Sequence, residues 1–312
     1  MNKNVRQVVL PLIAAFIWGS AFIAQGMVTD KIGPFSFNAL RSLIAAALLL
    51  ILCVVVFLYK KKKGVAVGTN WKNLIWAGSV CGILLFVSSN LQQYAIQGNL
   101  DGSNNEGIVA FITAFYMILV PIIELILGKR TGVNVWIAAA IGVVGLYFIS
   151  VKGSLEINLY NLAALGCATV FAFHIVCVSV FTEKNDCFQL SCAQFIVNFV
   201  LSAICAIAFE SISYEAVAAS MLPILYIGVF SSTIGYTLQI VAQKGTNPTV
   251  VSVIMCLESV FAVLIQLFIG IIYPEKATYM SAIQYVGCAL MMSAVIIAQL
   301  DFNKSKKKNT NI

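Results

Sequence analysis

Charge is scarce in this sequence: Asp, Glu, Lys and Arg together make up 10% of its 312 residues, against roughly 25% in an ordinary soluble domain. With 61% hydrophobic residues, the chain holds more apolar surface than a soluble fold of this size can enclose, so lipid must be its solvent. Histidine is nearly absent. His174 stands alone, and one imidazole cannot anchor a metal site. The 9 cysteines are scattered, odd in number and without a Cys-x-x-Cys pair. That excludes a zinc or dithiol motif and leaves them as reduced fillers of apolar runs. No nucleophile constellation or phosphate-binding motif stands out, and no long loop houses a catalytic domain, so neither an enzyme nor a cofactor is expected. A small-residue cleavage site is missing after the first apolar stretch, from Val8 past Ile23, which therefore reads as a retained span and not as a signal peptide.

What is present is a series of apolar runs. A helix needs about 20 mostly apolar residues to cross the hydrocarbon, and ten such segments are expected at 8–28, 35–58, 73–97, 107–127, 132–151, 159–182, 189–209, 217–243, 248–272 and 279–299. Unpaired backbone cannot face lipid, and runs this long and uniform are helices rather than barrel strands. The net charge of +7 sits beside these spans, where lysine and arginine act as orientation signals rather than as a nucleic-acid surface. With both termini cytoplasmic, the inner side carries 15 basic residues, including Lys60 to Lys63, and the outer loops carry Lys31, Lys152 and Lys276. This bias predicts a multi-pass protein of an inner or plasma membrane with both ends inside.

The chain can also be laid upon itself. Pro34 to Arg41 aligns with Cys187 to Gln194, the same offset sets Trp18 on Phe171, and Leu91 to Ala95 matches Leu238 to Ala242, which pairs Gln92 with Gln239. Five spans per half force the second half to enter the membrane from the opposite side, so like halves become inverted repeats. The expected organisation is a first repeat at 1–152, a second, inverted one at 153–300, and a basic tail at 301–312.

These residues resemble the drug/metabolite transporter superfamily, specifically its EamA-type members with ten spans and two repeats. The resemblance rests on Trp18-Gly19-Ser20-Ala21-Phe22, on Pro34-Phe35 leading to Arg41, on Gly107 through Pro121, and on Leu257-Glu258-Ser259-Val260-Phe261, where Ser259 replaces the family's proline. It also departs from many members at Lys129 and Tyr273, where a glutamate is common. The resemblance implies an all-α membrane transporter of small metabolites, and it does not name the cargo.

Ionisable groups inside a bilayer are costly and face a cavity or a partner. Glu258, near mid-depth, is the first candidate for a coupling or substrate-contacting acid, and a purely structural carboxyl is the competing reading. Arg41 suits a carboxylate-bearing cargo through bidentate pairing, or else holds helix ends together. His174 can titrate near neutral pH or be a bonded core histidine, and Glu124 can line an inner vestibule. Neutral candidates are Asn90, Gln92, Gln93, Tyr94, Tyr116, Gln194, Asn198, Tyr236 and Gln239, which can bond cargo without a bare charge. Trp18, Phe22, Phe115, Tyr116, Phe171 and Tyr236 offer an aromatic wall. Gly78 and Gly82 allow close helix approach. The site expected from these signals is Trp18, Arg41, Gln92, Tyr94, Tyr116, His174, Tyr236, Gln239 and Glu258, in a central cavity lined by spans one, three, four, six, eight and nine. The expected function is export or exchange of small metabolites such as amino acids by alternating access. The alternative is a nucleotide-sugar or other organic-anion carrier. A small-molecule substrate and membrane lipid are the expected partners, with homodimerisation left open.

Overall fold

The computed structural model describes residues 5–64, 68–98, 105–129, 132–150, 159–272 and 281–300. The basic tail, the loop after Gly98, and Lys152, Tyr273 and Lys276 lie outside them. The described residues are helical and contain no strand. They form eight helices long and apolar enough to cross a membrane and two shorter apolar ones, the fifth and tenth in order: span one is Leu10–Gly26, span two Pro34–Lys62, span three Trp71–Gln97 and span five Val133–Ser150. Span six is Leu159–Phe181, span seven Cys187–Phe209 and span ten Ala282–Gln299. The other three are compound. Span four joins Asn105–Thr113 to Tyr116–Ile126, and span nine joins Pro248–Met255 to Glu258–Ile272. Span eight runs from Met221–Tyr226 through a π-helical stretch, Ile227–Gly235, into Tyr236–Gln243.

Local chemistry explains where these helices start and stop. Pro34 and Pro248 stand in the first turns of their helices, where the missing N–H costs nothing. Asp186 accepts from the N–H groups of Phe188 and Gln189 at 3.0 and 3.2 Å, and Asn247 accepts from Thr249 N at 2.8 Å, each satisfying donors the helix leaves open. Gly64, Gly128 and Gly245 adopt positive φ of 69°, 77° and 66° just beyond spans two, four and eight. A residue with a Cβ would be strained there, so glycine ends the helix.

One end of the bundle gathers the lysines. Lys60 lies 3.8 Å from Asp186, Thr69 and Gln189 are hydrogen-bonded, and Asn73 Nδ2 donates to Asn185 at 3.1 Å. At the opposite end Gln97 donates to the carbonyls of Thr29 and Ile32, while Glu210 accepts from the N–H groups of Phe35 and Ser36 at 2.8 Å each.

Spans two and seven pack along each other, as do spans five and ten. Span one packs on spans eight and nine, and span six on spans three and four. Exchanging the halves converts this set of contacts into itself, as a two-fold repeat axis demands. The protein is an all-α membrane fold of two inverted five-helix repeats. Lipid gives helices no hydrophobic reason to associate, so close approach and polar bonds must hold them. A Cβ added at Gly78 would sit 2.5 Å from Ala193 Cβ, and one at Gly82 would sit 2.8 Å from Gln194 O, so this glycine pair seats span three on span seven. Asn38 donates to Asn90 Oδ1 at 3.1 Å, Asn90 to Ser202 Oγ at 3.3 Å, and Ser202 to Asn198 Oδ1 at 3.1 Å, a polar chain through spans two, three and seven. Asn90 and Asn198 thus bond helix to helix.

Candidate functional site

The structure departs from the continuous spans expected at 107–127 and 248–272. In both, the fourth crossing of its half, the regular ladder tightens for one turn. Phe115 N donates to Ile112 O and Leu257 N to Ile254 O, both at 3.1 Å, which are i to i−3 bonds. The two breaks touch: Cys256 Sγ lies 3.4 Å from Ala114 O. Tyr116 and Glu258 each begin the helix that follows a break, and the Tyr116 hydroxyl donates to Glu258 Oε1 at 3.3 Å. The Glu258 carboxyl therefore sits where the two halves meet.

The π-helical stretch of span eight is the third departure. Its wider turn directs Ser231, Ser232 and Tyr236 toward span one and span two. Trp18 Nε1 donates to Ser231 O at 3.4 Å, and Arg41 Nε donates to Ser232 Oγ at 3.0 Å. Both partners escaped the sequence reading, because only the π geometry brings them to the centre. Such stretches concentrate at functional sites.

A polar cavity lies among these residues. Its walls are Trp18, Phe22 and Gln25 of span one, Arg41 of span two, Ser88, Ser89 and Gln92 of span three, and Thr113 and Tyr116 of span four. Cys167 and Phe171 of span six, Ser231 and Tyr236 of span eight, and Glu258 of span nine complete it. The six expected spans all contribute, and Arg41 adds span two. Gln25, Gln92 and Arg41 stand near the ends of their spans away from the lysines, so the cavity occupies that half of the bundle. The space left for water-sized occupants is ≈30 Å³, room for about two waters.

A guanidinium and a carboxyl, Arg41 and Glu258, both line this space and no ion pair joins them. Arg41 and Glu258 are each 3% exposed, yet among the described residues the ion pairs are Lys60–Asp186 and Lys129–Glu124. Tyr236 lies within electrostatic reach of both. The aromatic wall is continuous: Trp18 stands 4.9 Å from Tyr236 and 6.0 Å from Phe171, and Phe171 stands 5.5 Å from Tyr116. Trp18 and Phe171 are the repeat-related pair, and they meet across the axis.

The remaining candidates fall outside the cavity. Tyr94 is 36% exposed and packs against Tyr160 at 5.3 Å. His174 is buried beneath Phe171, stacked on it at 5.4 Å, with Nε2 bonded to Gln194 Oε1 at 3.0 Å. Gln239 is fully buried, and neither of its amide atoms has a partner. Gln194 Nε2 is likewise unpartnered. The repeat counterparts of Arg41 and Gln92 are thus packed away in the lysine-side half, while Arg41 and Gln92 themselves line open space. Glu124 belongs to that closed half too. Its Oε2 accepts from Thr249 Oγ1 at 2.5 Å and its Oε1 lies 3.6 Å from Lys129 Nζ, tying span four to span nine.

Ten apolar segments in two like halves, with a polar cavity at their seam, describe a multi-pass membrane transporter. The chain belongs to the EamA-like transporter family, whose model matches it twice, at residues 6–151 and 158–299. It is 28% identical over 293 residues to a protein of Archaeoglobus fulgidus described as an uncharacterized transporter, a match covering 92% of this chain and 84% of that one. A crystal structure of a protein 18% identical in sequence superposes with a TM-score of 0.72 over 94% of this chain and 96% of the other. At that identity the likeness speaks for the fold alone.

Proposed function

We propose that the protein carries a small zwitterionic metabolite such as an amino acid, as an exporter or exchanger, by alternating access between residues 1–152 and 153–300. The observation that carries this reading is a guanidinium and a carboxyl lining one cavity with no ion pair between them. Arg41 suits a carboxylate and Glu258 an ammonium group, and Trp18 and Tyr236 between them suit an apolar side chain. A nucleotide sugar or other multivalent anion would call for several buried cations, whereas Arg41 is the cation among the described cavity-lining residues. We read the protein as a carrier without a chemical step. The 15-to-3 distribution of basic residues supports both termini on the cytoplasmic side of an inner or plasma membrane.

Alternating access draws support from the asymmetry of the two halves. Arg41 and Gln92 line space, and their counterparts Gln194 and Gln239 are buried with unpartnered amide atoms. Each such atom costs about 1–3 kcal/mol, relieved when the opposite half opens and hydrates. Exchanging the conformations of the repeats would exchange the open side. The present cavity leaves room for only about two waters, so it must widen to admit cargo.

Efflux of labelled amino acids from proteoliposomes tests the cargo. Arg41→Gln and Glu258→Gln should each abolish it while elution stays monodisperse. For a purely anionic cargo, Arg41→Gln alone would matter and Glu258→Gln would transport at least as well as the parent.

A further inference from the structure

A second, larger hollow lies on the flank of the bundle, apart from the central cavity. It encloses ≈430 Å³, within the range of about 300–1,000 Å³ usual for small-molecule sites. Leu50, Val54 and Phe57 of span two, Trp71 and Leu74 of span three, and Ile196 of span seven give it an apolar lining. Leu50, Val54, Phe57, Trp71 and Ile196 are 42–66% exposed, so the groove faces the lipid side. Ala193 also lines it, and the Gly78 contact with Ala193 closes it toward mid-membrane.

At the lysine-rich end the groove changes character. Thr69 and Gln189 border both it and an adjoining polar hollow whose other walls are Lys60, Gly68, Asn70, Lys184, Asn185 and Asp186, the last facing Lys60. The nearby acids are already engaged: Asp186 caps span seven and faces Lys60, and Glu183 accepts from Gly245 N at 3.0 Å. Among the described residues Lys184 has no ion pair, and Lys61 to Lys63 follow Lys60 at the end of span two. An apolar slot within the hydrocarbon therefore ends in a basic, donor-rich collar where the spans emerge. Basic pockets between spans at that level recognise anionic headgroups.

We propose that this groove binds an anionic phospholipid of the leaflet at the lysine-rich end, with an acyl chain between spans two, three and seven and its phosphate on Lys60 and Lys184. A neutral phospholipid shares the chain but lacks net charge for the collar. Inorganic phosphate shares the headgroup chemistry but leaves the slot unfilled.

Native mass spectrometry of the full chain, released from micelles holding equal phosphatidylglycerol and phosphatidylcholine, tests this assignment. Phosphatidylglycerol should be retained preferentially. A juxtamembrane lysine contributes about fivefold, so Lys60→Gln with Lys184→Gln should weaken that preference by about 25-fold. Val54→Trp, which fills the slot and leaves the lysines intact, should reduce retention of both lipids. Inorganic phosphate at the same concentration should not displace phosphatidylglycerol. Equal retention of the two lipids by the parent protein overturns the proposal, as does undiminished phosphatidylglycerol binding in either variant. Displacement by inorganic phosphate would identify a free-anion site and overturn it equally. Monodisperse elution of both variants guards against a loss that reflects unfolding.

Discussion

Replacing Gln239 with methionine should stabilise the closed conformation and slow transport. Gln239 is fully buried, and its Nε2 and Oε1 both lack partners. An unsatisfied buried polar group costs about 1–3 kcal/mol. Methionine keeps the unbranched length and flexibility of glutamine without its polar atoms, so Gln239→Met should recover a substantial part of that cost. Every 1.4 kcal/mol is about a tenfold change in population. When the lysine-side half opens, position 239 takes the role that Gln92 plays now, and methionine there loses water and cargo contacts. Both effects favour the conformation described above, so the variant should melt higher and exchange cargo at least about tenfold more slowly. Gln92→Met is the control. Gln92 is only partly buried and lines open space, so its replacement removes no comparable penalty and should not raise the melting temperature. Thermal melts in micelles, paired with exchange rates in proteoliposomes, decide the matter. If Gln239→Met melts lower than the parent and transports at the parental rate, the reasoning from buried unpartnered amides is wrong.

Gly19→Ala should lower stability by about 1–3 kcal/mol, the usual cost of overpacking, because its Cβ would lie 2.6 Å from Glu258 O and 2.8 Å from Ala262 N. Both are backbone atoms beside the site, so an unchanged melt would mean that spans one and nine are not held this close. Thr249→Val keeps the shape but deletes the bond to Glu124, and a hydrogen bond to a charged group contributes about 1.5–3 kcal/mol. Its loss should loosen the lysine-rich end. With Cys256 as the sole remaining cysteine, a maleimide added from that side should then label it several-fold faster, and an unchanged rate would show that Glu124 and Thr249 do not latch this end.

Much of the architecture was written in the sequence, because lipid imposes one simple demand. A crossing must be about 20 apolar residues and must satisfy its own backbone, so ten runs read as ten spans, and an odd number per half implied inversion. The match of Trp18 with Phe171 spoke for the repeat, but that these two rings meet at the axis, where the repeat relation predicts an approach of Gln92 and Gln239, is found only in the structure. Which polar residues face the cavity was less legible. Spans in lipid are apolar on every side, so the periodicity that marks the buried face of a soluble helix carries little information. Gln92 and Gln239 are repeat-related and chemically identical, yet one lines space and the other is packed away, because a conformation with its cavity in one half breaks the symmetry that the sequence repeats. Tyr94 and His174 left the expected site for the same reason: their side chains point where neighbouring spans direct them. The tight turns at Ala114–Phe115 and Cys256–Leu257 have no proline or glycine at the break, whereas the π stretch of span eight carries Gly228 and Gly235. They arise from contacts between residues more than a hundred positions apart, Cys256 on Ala114 and Arg41 on Ser232, and those exist only once the halves have closed on each other.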